Sequence, residues 1–266
     1  MERMITFALN GAMGRMGKRI AALSMEDNEL ELIQPLEHEG HPCLGKSYGS
    51  FIGHPEMESK ISSSLEKKVD GIIDFSSPKG LRAILEKAKA SKIPLVSGTT
   101  GLEKEDMLAL QEASQNIPIL YSTNMSLGIN LLRRLVREVA RALGNDFDIE
   151  LVEAHHNQKA DAPSGTCMTL FEDICQVLKR DPQQVARYGR EGKPGKRTKE
   201  EIGLHALRMG SVVGDHRVYF ASQEEILELS HRAQSRDVFA KGALKGLKWI
   251  IHQKPGLYSM EDMLFG

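Results

Sequence analysis

Apolar residues recur with two periods along the first half of the chain. Ile5-Thr6-Phe7-Ala8-Leu9 is a short β-prone run that stops at Asn10-Gly11, and Met16, Ile20 and Leu23 follow at helical spacing. Leu30, Leu32 and Leu36 mark a second strand, with Pro35 near its end. Residues 38–60 carry many Gly, Pro, His and Ser and read as loop. Val69 to Phe75 predicts a third strand. Ser77 then reads as an N-cap with Pro78 at the first helical position, and Leu81, Ile84, Leu85 and Ala88 continue that helix. Ile93 to Val96 predicts a strand ending in Gly98-Thr99-Thr100-Gly101, followed by a helix from Glu103 to Gln115 and a strand from Ile117 to Tyr121. Strands alternating with helices predict a parallel sheet covered on both faces.

The pattern changes after Asn124. An amphipathic helix spans Leu127 to Leu143, a strand Phe147 to Ala154 and a helix Thr166 to Leu178. Arg187 to Lys199 is basic and glycine-bearing and reads as a mobile loop. Three strand-like runs come next (Gly203–Met209, Val212–Ala221, Ile226–Ala233), and a helix from Val238 to His252 follows. Strands grouped after an α/β half predict a second domain of α+β type behind an N-terminal doubly wound parallel sheet.

A length of 266 residues suits two domains, and 41% hydrophobic with 27% charged residues is enough to build globular cores. A net charge of -1 supplies no basic field for nucleic acid, and 5% aromatics is thin for stacking bases. Cys43, Cys167 and Cys175 lack CxxC spacing, so neither a disulfide framework nor a zinc site is expected. The N-terminal apolar run is too short for a signal-peptide core, and no segment reaches the length of a membrane span. A soluble cytoplasmic protein is the expectation.

Gly11-Ala12-Met13-Gly14-Arg15-Met16-Gly17 lies between the first strand and the first helix, where a dinucleotide pyrophosphate binds. The spacing is GxxGxxG, with Met13 where a glycine is commonest. A glycine triplet alone does not separate a nucleotide loop from an ordinary strand–helix turn; its place after the first strand favours the loop. Glu37, at the end of the second strand, can accept hydrogen bonds from both ribose hydroxyls of an adenosine and would repel a 2′-phosphate. Alone it also fits a solvated loop glutamate. The pair favours NADH, although His38, Arg15, Lys18 and Arg19 are compatible with NADPH.

The densest chemistry lies in Glu150 to Thr166. A strand delivers His155 and His156 to opposite faces, so the two have different roles. A loop delivers Lys159 and Asp161, and Pro163-Ser164-Gly165-Thr166 opens a helix. Histidine suits proton donation near neutrality. Lys159 with the N–H groups of Gly165 and Thr166 makes a carboxylate cradle, which implies an anionic substrate. Ser164 alone would be explained as an N-cap. The histidines with Glu153 or Asp161 could form a metal site, but no HExxH or cysteine cluster supports one, and no metal is expected.

The segment E-A-H-H-x-x-K-x-D-A-P-S-G-T, Glu153 to Thr166, resembles the signature of the dihydrodipicolinate reductase family. The resemblance extends to G-x-x-G-R-M-G from Gly11, D-F-S from Asp74, G-T-T-G from Gly98, T-N-M-S-L-G from Thr123 and R-x-G-x-V-V-G-D-H from Arg208. It also covers H-R-A-Q-S-R-D-x-F-A-x-G-A-L from His231 and G-L-Y-S-M-E-D-M-L from Gly256, and so essentially the whole chain.

The resemblance implies a Rossmann domain of residues 1–126 and 236–266. A substrate-binding and tetramerisation domain of 127–235 would carry an open mixed sheet. It implies NADH or NADPH on Gly11, Ala12, Met13, Gly14, Arg15, Met16 and Glu37, with Phe75, Gly98, Thr99, Thr100, Asn124 and Met125 near the nicotinamide half. It implies a small cyclic dicarboxylate held by His156, Lys159, Ser164, Gly165 and Thr166, and His155 as general acid assisted by Lys159. A homotetramer, with no nucleic-acid or membrane partner, is the implied assembly. The implied reaction is reduction of 4-hydroxy-tetrahydrodipicolinate in lysine and diaminopimelate biosynthesis. Many members carry phenylalanine where Met125 stands, and some an arginine near Ser77, whose absence favours NADH. Two other functions fit parts of the pattern: another Rossmann amino-acid or semialdehyde dehydrogenase, for which Cys167 would be the nucleophile, and a non-enzymatic NADH-binding sensor.

Overall fold

The structure, a computed structural model, describes residues 3–266. In chain order the elements are β1 (Ile5–Asn10), α1 (Arg15–Ser24), β2 (Leu30–Leu36), α2 (Gly49–Ile52), β3 (Gly71–Asp74), α3 (Pro78–Ser91), β4 (Leu95–Ser97), α4 (Lys104–Ala113) and β5 (Pro118–Tyr121). Then come α5 (Leu127–Leu143), β6 (Asp148–His155), α6 (Gly165–Leu178), α7 (Pro182–Val185), β7 (Ala186–Tyr188), β8 (Ile202–Arg208), β9 (Gly214–Ala221) and β10 (Ile226–Ala233). The last are α8 (Asp237–Ile250), β11 (Gly256–Tyr258) and α9 (Met260–Phe265). One compact unit runs through Leu127 and resumes at Asp237–Gly266; the other is Gly128–Arg236.

The first unit is a six-stranded parallel sheet in the order β11-β5-β4-β3-β1-β2. Its strands are apolar on both faces because helices cover both. Along β1, Phe7 and Leu9 pack in one cluster with Ile20 of α1 and Leu244 and Leu247 of α8. Ala8 points the other way, into a cluster with Leu81, Ile84 and Leu85 of α3 and Leu110 of α4. Pro35 is tolerated in β2 because that strand lies at the sheet edge. The Ser77 hydroxyl accepts from Gly80 N–H at 3.2 Å, and Pro78 occupies the first turn of α3. The sheet winds outward in both directions from β1 and β3, which places the ligand crevice of such folds at the carboxyl ends of these strands.

The second unit is a five-stranded mixed sheet in the order β10-β9-β6-β8-β7. Ile149 and Leu151 of β6, Ile202 and Leu204 of β8, and Val218 and Phe220 of β9 share one face. That face packs with Leu170, Phe171 and Ile174 of α6 and Ile129, Leu132 and Val136 of α5. The other face carries Glu150, Val152, Leu207, Arg217, Tyr219 and Ile226.

Three segments differ from the sequence expectation. Gly256–Leu257–Tyr258 forms a sixth strand, and Met260–Phe265 a helix capped reciprocally by Ser259 and Asp262. Three residues are too few to show a period. Residues 38–60 are not wholly loop: α2 is present, and Tyr48 is fully buried with its hydroxyl donating to Ala12 carbonyl at 2.6 Å. The basic stretch from Arg187 is likewise more than a mobile loop. Its first residues lie in β7, and Arg190 and Arg197 bind back onto Glu150, Glu201 and Asp148 of the same unit. No helix among the described residues is long and apolar enough to cross a membrane.

Candidate functional site

At the end of β1 the chain turns at Gly11, whose φ of +77° favours glycine. A Cβ there would stand 2.5 Å from the Phe75 carbonyl oxygen, and one on Gly17 only 2.2 Å from that of Gly11. The turn therefore closes tightly against β3, and α1 starts directly above it. Gly14 caps α1 without a side-chain hydrogen bond, which leaves the opening turn of the helix to an external acceptor. These are the features a pyrophosphate requires, so the residues present fit a dinucleotide.

Glu37, just past β2, reaches across to this turn: its Oε1 accepts from Met13 N–H at 2.8 Å and its Oε2 from His38 N–H at 3.3 Å. The carboxylate is thus fixed beside the glycine loop. Glu37, His38 and His41 each bring a potential ligand atom within 4.8 Å of the others. That grouping would admit a cation. However, Glu37 is already engaged by backbone donors, and His41 Nδ1 accepts from Cys43 N–H at 3.2 Å.

Phe75, Gly98, Thr99 and Thr100 follow β3 and β4 at the same end of the sheet. Thr100 is exposed, whereas Thr99 and Met125 are buried. The Thr99 hydroxyl accepts from Ser76 N–H and donates to Asp74 at 2.7 Å. Asn124 sits in a turn where its N–H donates to the Ser122 hydroxyl and its Oδ1 accepts from Ser126 N–H. Arg15 is exposed and Met16 half-buried at the start of α1.

In the second unit the core face of β6 changes character along its length. Ile149 and Leu151 are apolar; Glu153 and His155, next on the same face, are buried polar groups. Parallel pairing sets Arg208 of β8 opposite His155, and antiparallel pairing sets His216 of β9 opposite Glu153. His155 Nδ1 lies 2.5 Å from Glu153 Oε2. Arg208 donates to both Glu153 oxygens, at 3.0 and 2.8 Å, and Ser164 N–H donates to Oε1 at 3.1 Å. Burial alone would push the Glu153 carboxyl up, but the hydrogen bonds from His155 and Arg208 outweigh it and bring it down to about 2. An ionised carboxylate only accepts, so His155 Nδ1 is the donor and Nε2 is the nitrogen left for chemistry. Gly214 keeps that nitrogen uncrowded: a Cβ there would stand 3.2 Å from it.

His216 packs edge-on to His155, with ring centroids 5.2 Å apart. Burial, reinforced by the neighbouring His155, pushes the His216 imidazole down to about 4. It is therefore neutral at pH 7. The Ser164 hydroxyl lies 3.2 Å from its Nε2 and accepts from Cys167 N–H, capping α6. The Ser164 N–H is thus engaged by Glu153 and its hydroxyl by His216 and Cys167. Gly165 is open: a Cβ there would meet nothing within 4 Å. Lys159 pairs with Asp161 at 2.9 Å on the connecting loop, and His156 lies just past the end of β6.

The sequence reading singled out His155, His156, Lys159 and Ser164–Thr166 but gave no role in the acid–base machinery to Glu153, Arg208 or His216. Arg208 and His216 stand in a motif far along the chain, and only the sheet register shows that they flank β6. Cys167 is buried, and its thiol is pushed up to about 12 by burial and the nearby Glu153. Such a thiol is no nucleophile, which removes the residue needed by an acylating semialdehyde dehydrogenase.

A Rossmann sheet with a tight glycine turn, together with a second unit in which a buried carboxylate holds a histidine, has the parts of a two-domain nicotinamide-dependent oxidoreductase. Family models described as dihydrodipicolinate reductase, N-terminus and C-terminus, match residues 5–125 and 128–264. The chain belongs to that family. It is 43% identical over 264 residues to the 4-hydroxy-tetrahydrodipicolinate reductase of Geotalea daltonii, covering 98% of this chain and 99% of that one. It is 41% identical, with the same coverage, to that of Geobacter sulfurreducens. The dipicolinate-bound dihydrodipicolinate reductase from Paenisporosarcina sp. TG-14 shares the fold, with a TM-score of 0.75 at 20% identity over 98% of this chain and all of that one.

Proposed function

We propose that this chain reduces 4-hydroxy-tetrahydrodipicolinate to tetrahydrodipicolinate, in lysine and diaminopimelate biosynthesis, with a reduced nicotinamide dinucleotide. Family membership supports the reaction. The observation that carries the chemistry is the Glu153–His155 pair beside the open first turn of α6.

The first unit holds the cofactor on Gly11, Ala12, Met13, Gly14, Arg15 and Met16, with Phe75, Gly98, Thr99, Thr100, Asn124 and Met125 around its nicotinamide half. Glu37 favours NADH, because a carboxylate fixed beside the glycine loop suits ribose hydroxyls and repels a 2′-phosphate. When bound, the reduced cofactor supplies a hydride.

The second unit holds the dicarboxylate. Lys159, His156 and the N–H groups of Gly165 and Thr166 neutralise and orient its carboxylates. Ser164 joins them by exchanging its hydrogen bond to His216 for one to the substrate. Loss of the 4-hydroxyl as water leaves a conjugated imine, and reduction at C4 places negative charge on a ring enamine. His155 delivers a proton from Nε2 while Glu153 holds Nδ1–H and fixes the ring's orientation. Arg208 keeps Glu153 ionised and correctly turned.

A homotetramer built through the open face of the second unit's sheet completes the reading. Leu207 and Ile226 support it, being 47% and 69% exposed on that face.

The test is a coupled assay in which a separate synthase condenses pyruvate with aspartate semialdehyde. Loss of reduced-cofactor absorbance on adding this protein supports the assignment. No loss with NADH or NADPH, from a folded and cofactor-binding protein, rejects it and favours a sensor.

A further inference from the structure

Asp74 closes β3 and is completely buried. Its Oδ1 accepts from Asn10 Nδ2 at 2.7 Å and Ser76 Oγ at 2.6 Å; its Oδ2 accepts from Ser97 Oγ at 2.8 Å and Thr99 Oγ1 at 2.7 Å. Two donors on each oxygen fill the acceptor sites of an ionised carboxylate. Among the described residues no Lys, Arg or His pairs with it, so the charge is held by dipoles alone. Burial raises the carboxyl above its ordinary value and outweighs the four hydrogen bonds, so the charge rests on the donor geometry, two donors on each oxygen. A purely structural tie at this point could be made of neutral groups. Burying an uncompensated charge is costly and calls for a function.

The position supplies one. The four donors come from the carboxyl ends of β1 and β4 and the segments following β3 and β4. Gly11 adjoins Asn10, Phe75 adjoins Asp74, and Gly98 lies between Ser97 and Thr99. The Phe75 ring itself lies against Gly98, within 2.4 Å of where a Cβ would stand. Asp74 is therefore centred beneath three of the residues assigned above to the cofactor.

We propose that the buried charge of Asp74 biases the cofactor site electrostatically toward the oxidised nicotinamide, and so favours hydride release. The inference rests on the cofactor placement given under the proposed function. When a hydride, carrying two electrons, leaves the reduced ring for the substrate, the ring is left with one positive charge. A fixed negative charge in a low-dielectric sheet end stabilises that charge without reorganising.

Asp74→Asn separates the charge from the network. The hydroxyls of Ser97 and Thr99 can turn to accept from the new amide, while its oxygen still accepts from Asn10 and Ser76. The dissociation constants of NADH and NAD+ are measured by calorimetry on the folded protein without substrate. The expected result is a rise in Kd(NAD+)/Kd(NADH) on the order of tenfold, the size of a unit charge acting across about 12 Å at an effective dielectric constant of about 20. Ser97→Ala removes one donor but keeps the charge, and should leave the ratio within about twofold of wild type. If Asp74→Asn does not fold, Asp74→Ser, neutral and with room for water, should raise the ratio in the same sense. An unchanged ratio in the neutral variants, or equal weakening of both forms, overturns the proposal. Failure of the wild-type protein to bind either form would instead reject the cofactor placement itself.

Discussion

Glu153 and His155 are two residues apart on β6, and their side chains meet at 2.5 Å on the buried face of the sheet. Residues i and i+2 of a strand share a face, so this contact is set by local geometry. Arg208 and His216, brought alongside by β8 and β9, make it a network. A histidine whose Nδ1–H is held by an ionised carboxylate presents Nε2 in one orientation.

Because Glu153 acts through His155, replacing either should lower kcat/KM by about 10²–10³-fold. Glu153→Gln added to His155→Gln should then cost little more. Steady-state kinetics of the four proteins in this cycle measure the coupling; independent, additive losses would separate the two residues.

Lys159→Ala should raise KM for the substrate by about 10²-fold while leaving the NADH dissociation constant within about twofold, because among the described residues Lys159 pairs with Asp161 on its own loop. Parallel substrate kinetics and cofactor titration distinguish this from general damage.

A methyl group on Gly17 would press on the backbone of Gly11 and Ala12. Gly17→Ala should destabilise the protein by about 1–3 kcal/mol and weaken NADH binding, read from denaturant melts and cofactor titration. Glu37→Ala should weaken NADH by about tenfold and NADPH less, since the carboxylate repels the 2′-phosphate. A larger loss for NADPH would reverse the assigned preference.

Acid should destabilise the fold in two stages. His216 titrates near 6.5 when unfolded and about 4 when folded, so the unfolded chain binds more protons and stability falls as pH drops through that interval, by roughly 3 kcal/mol. His231, also lowered by burial, acts in the same direction. Glu150 and Glu153, both held down to about 2, contribute stability that is present above about 4.5 and lost as pH falls toward 2. Unfolding free energies measured against pH should lose the His216 share of the upper stage in His216→Gln, and keep the His231 share and the lower stage.

Much of this architecture was legible from residue pattern. The Ser77–Pro78 helix start, the helix from Leu127 to Leu143 and the strand from Ile226 to Ala233 carry strong local signals, and all three are present. β11 was not legible, since Gly-Leu-Tyr has no period and pairs only through sequence-distant β5. The ordered stretch after Arg187 was misread because basic residues look solvated until Glu150 and Glu201 are seen beneath them. The site split in the same way. His155 and Lys159 sit on one short segment. Glu153 was visible only as a possible metal partner, and Arg208 and His216 gain meaning from sheet register alone.

The most direct test of the central claim follows the hydride itself. NADH deuterated at the transferable position is turned over with synthase-made substrate, and the product is read by mass spectrometry and NMR. The account predicts one deuterium at ring carbon 4, with turnover abolished in the His155→Gln, Lys159→Ala double variant. Product without cofactor-derived deuterium, or undiminished turnover in the double variant, would contradict it.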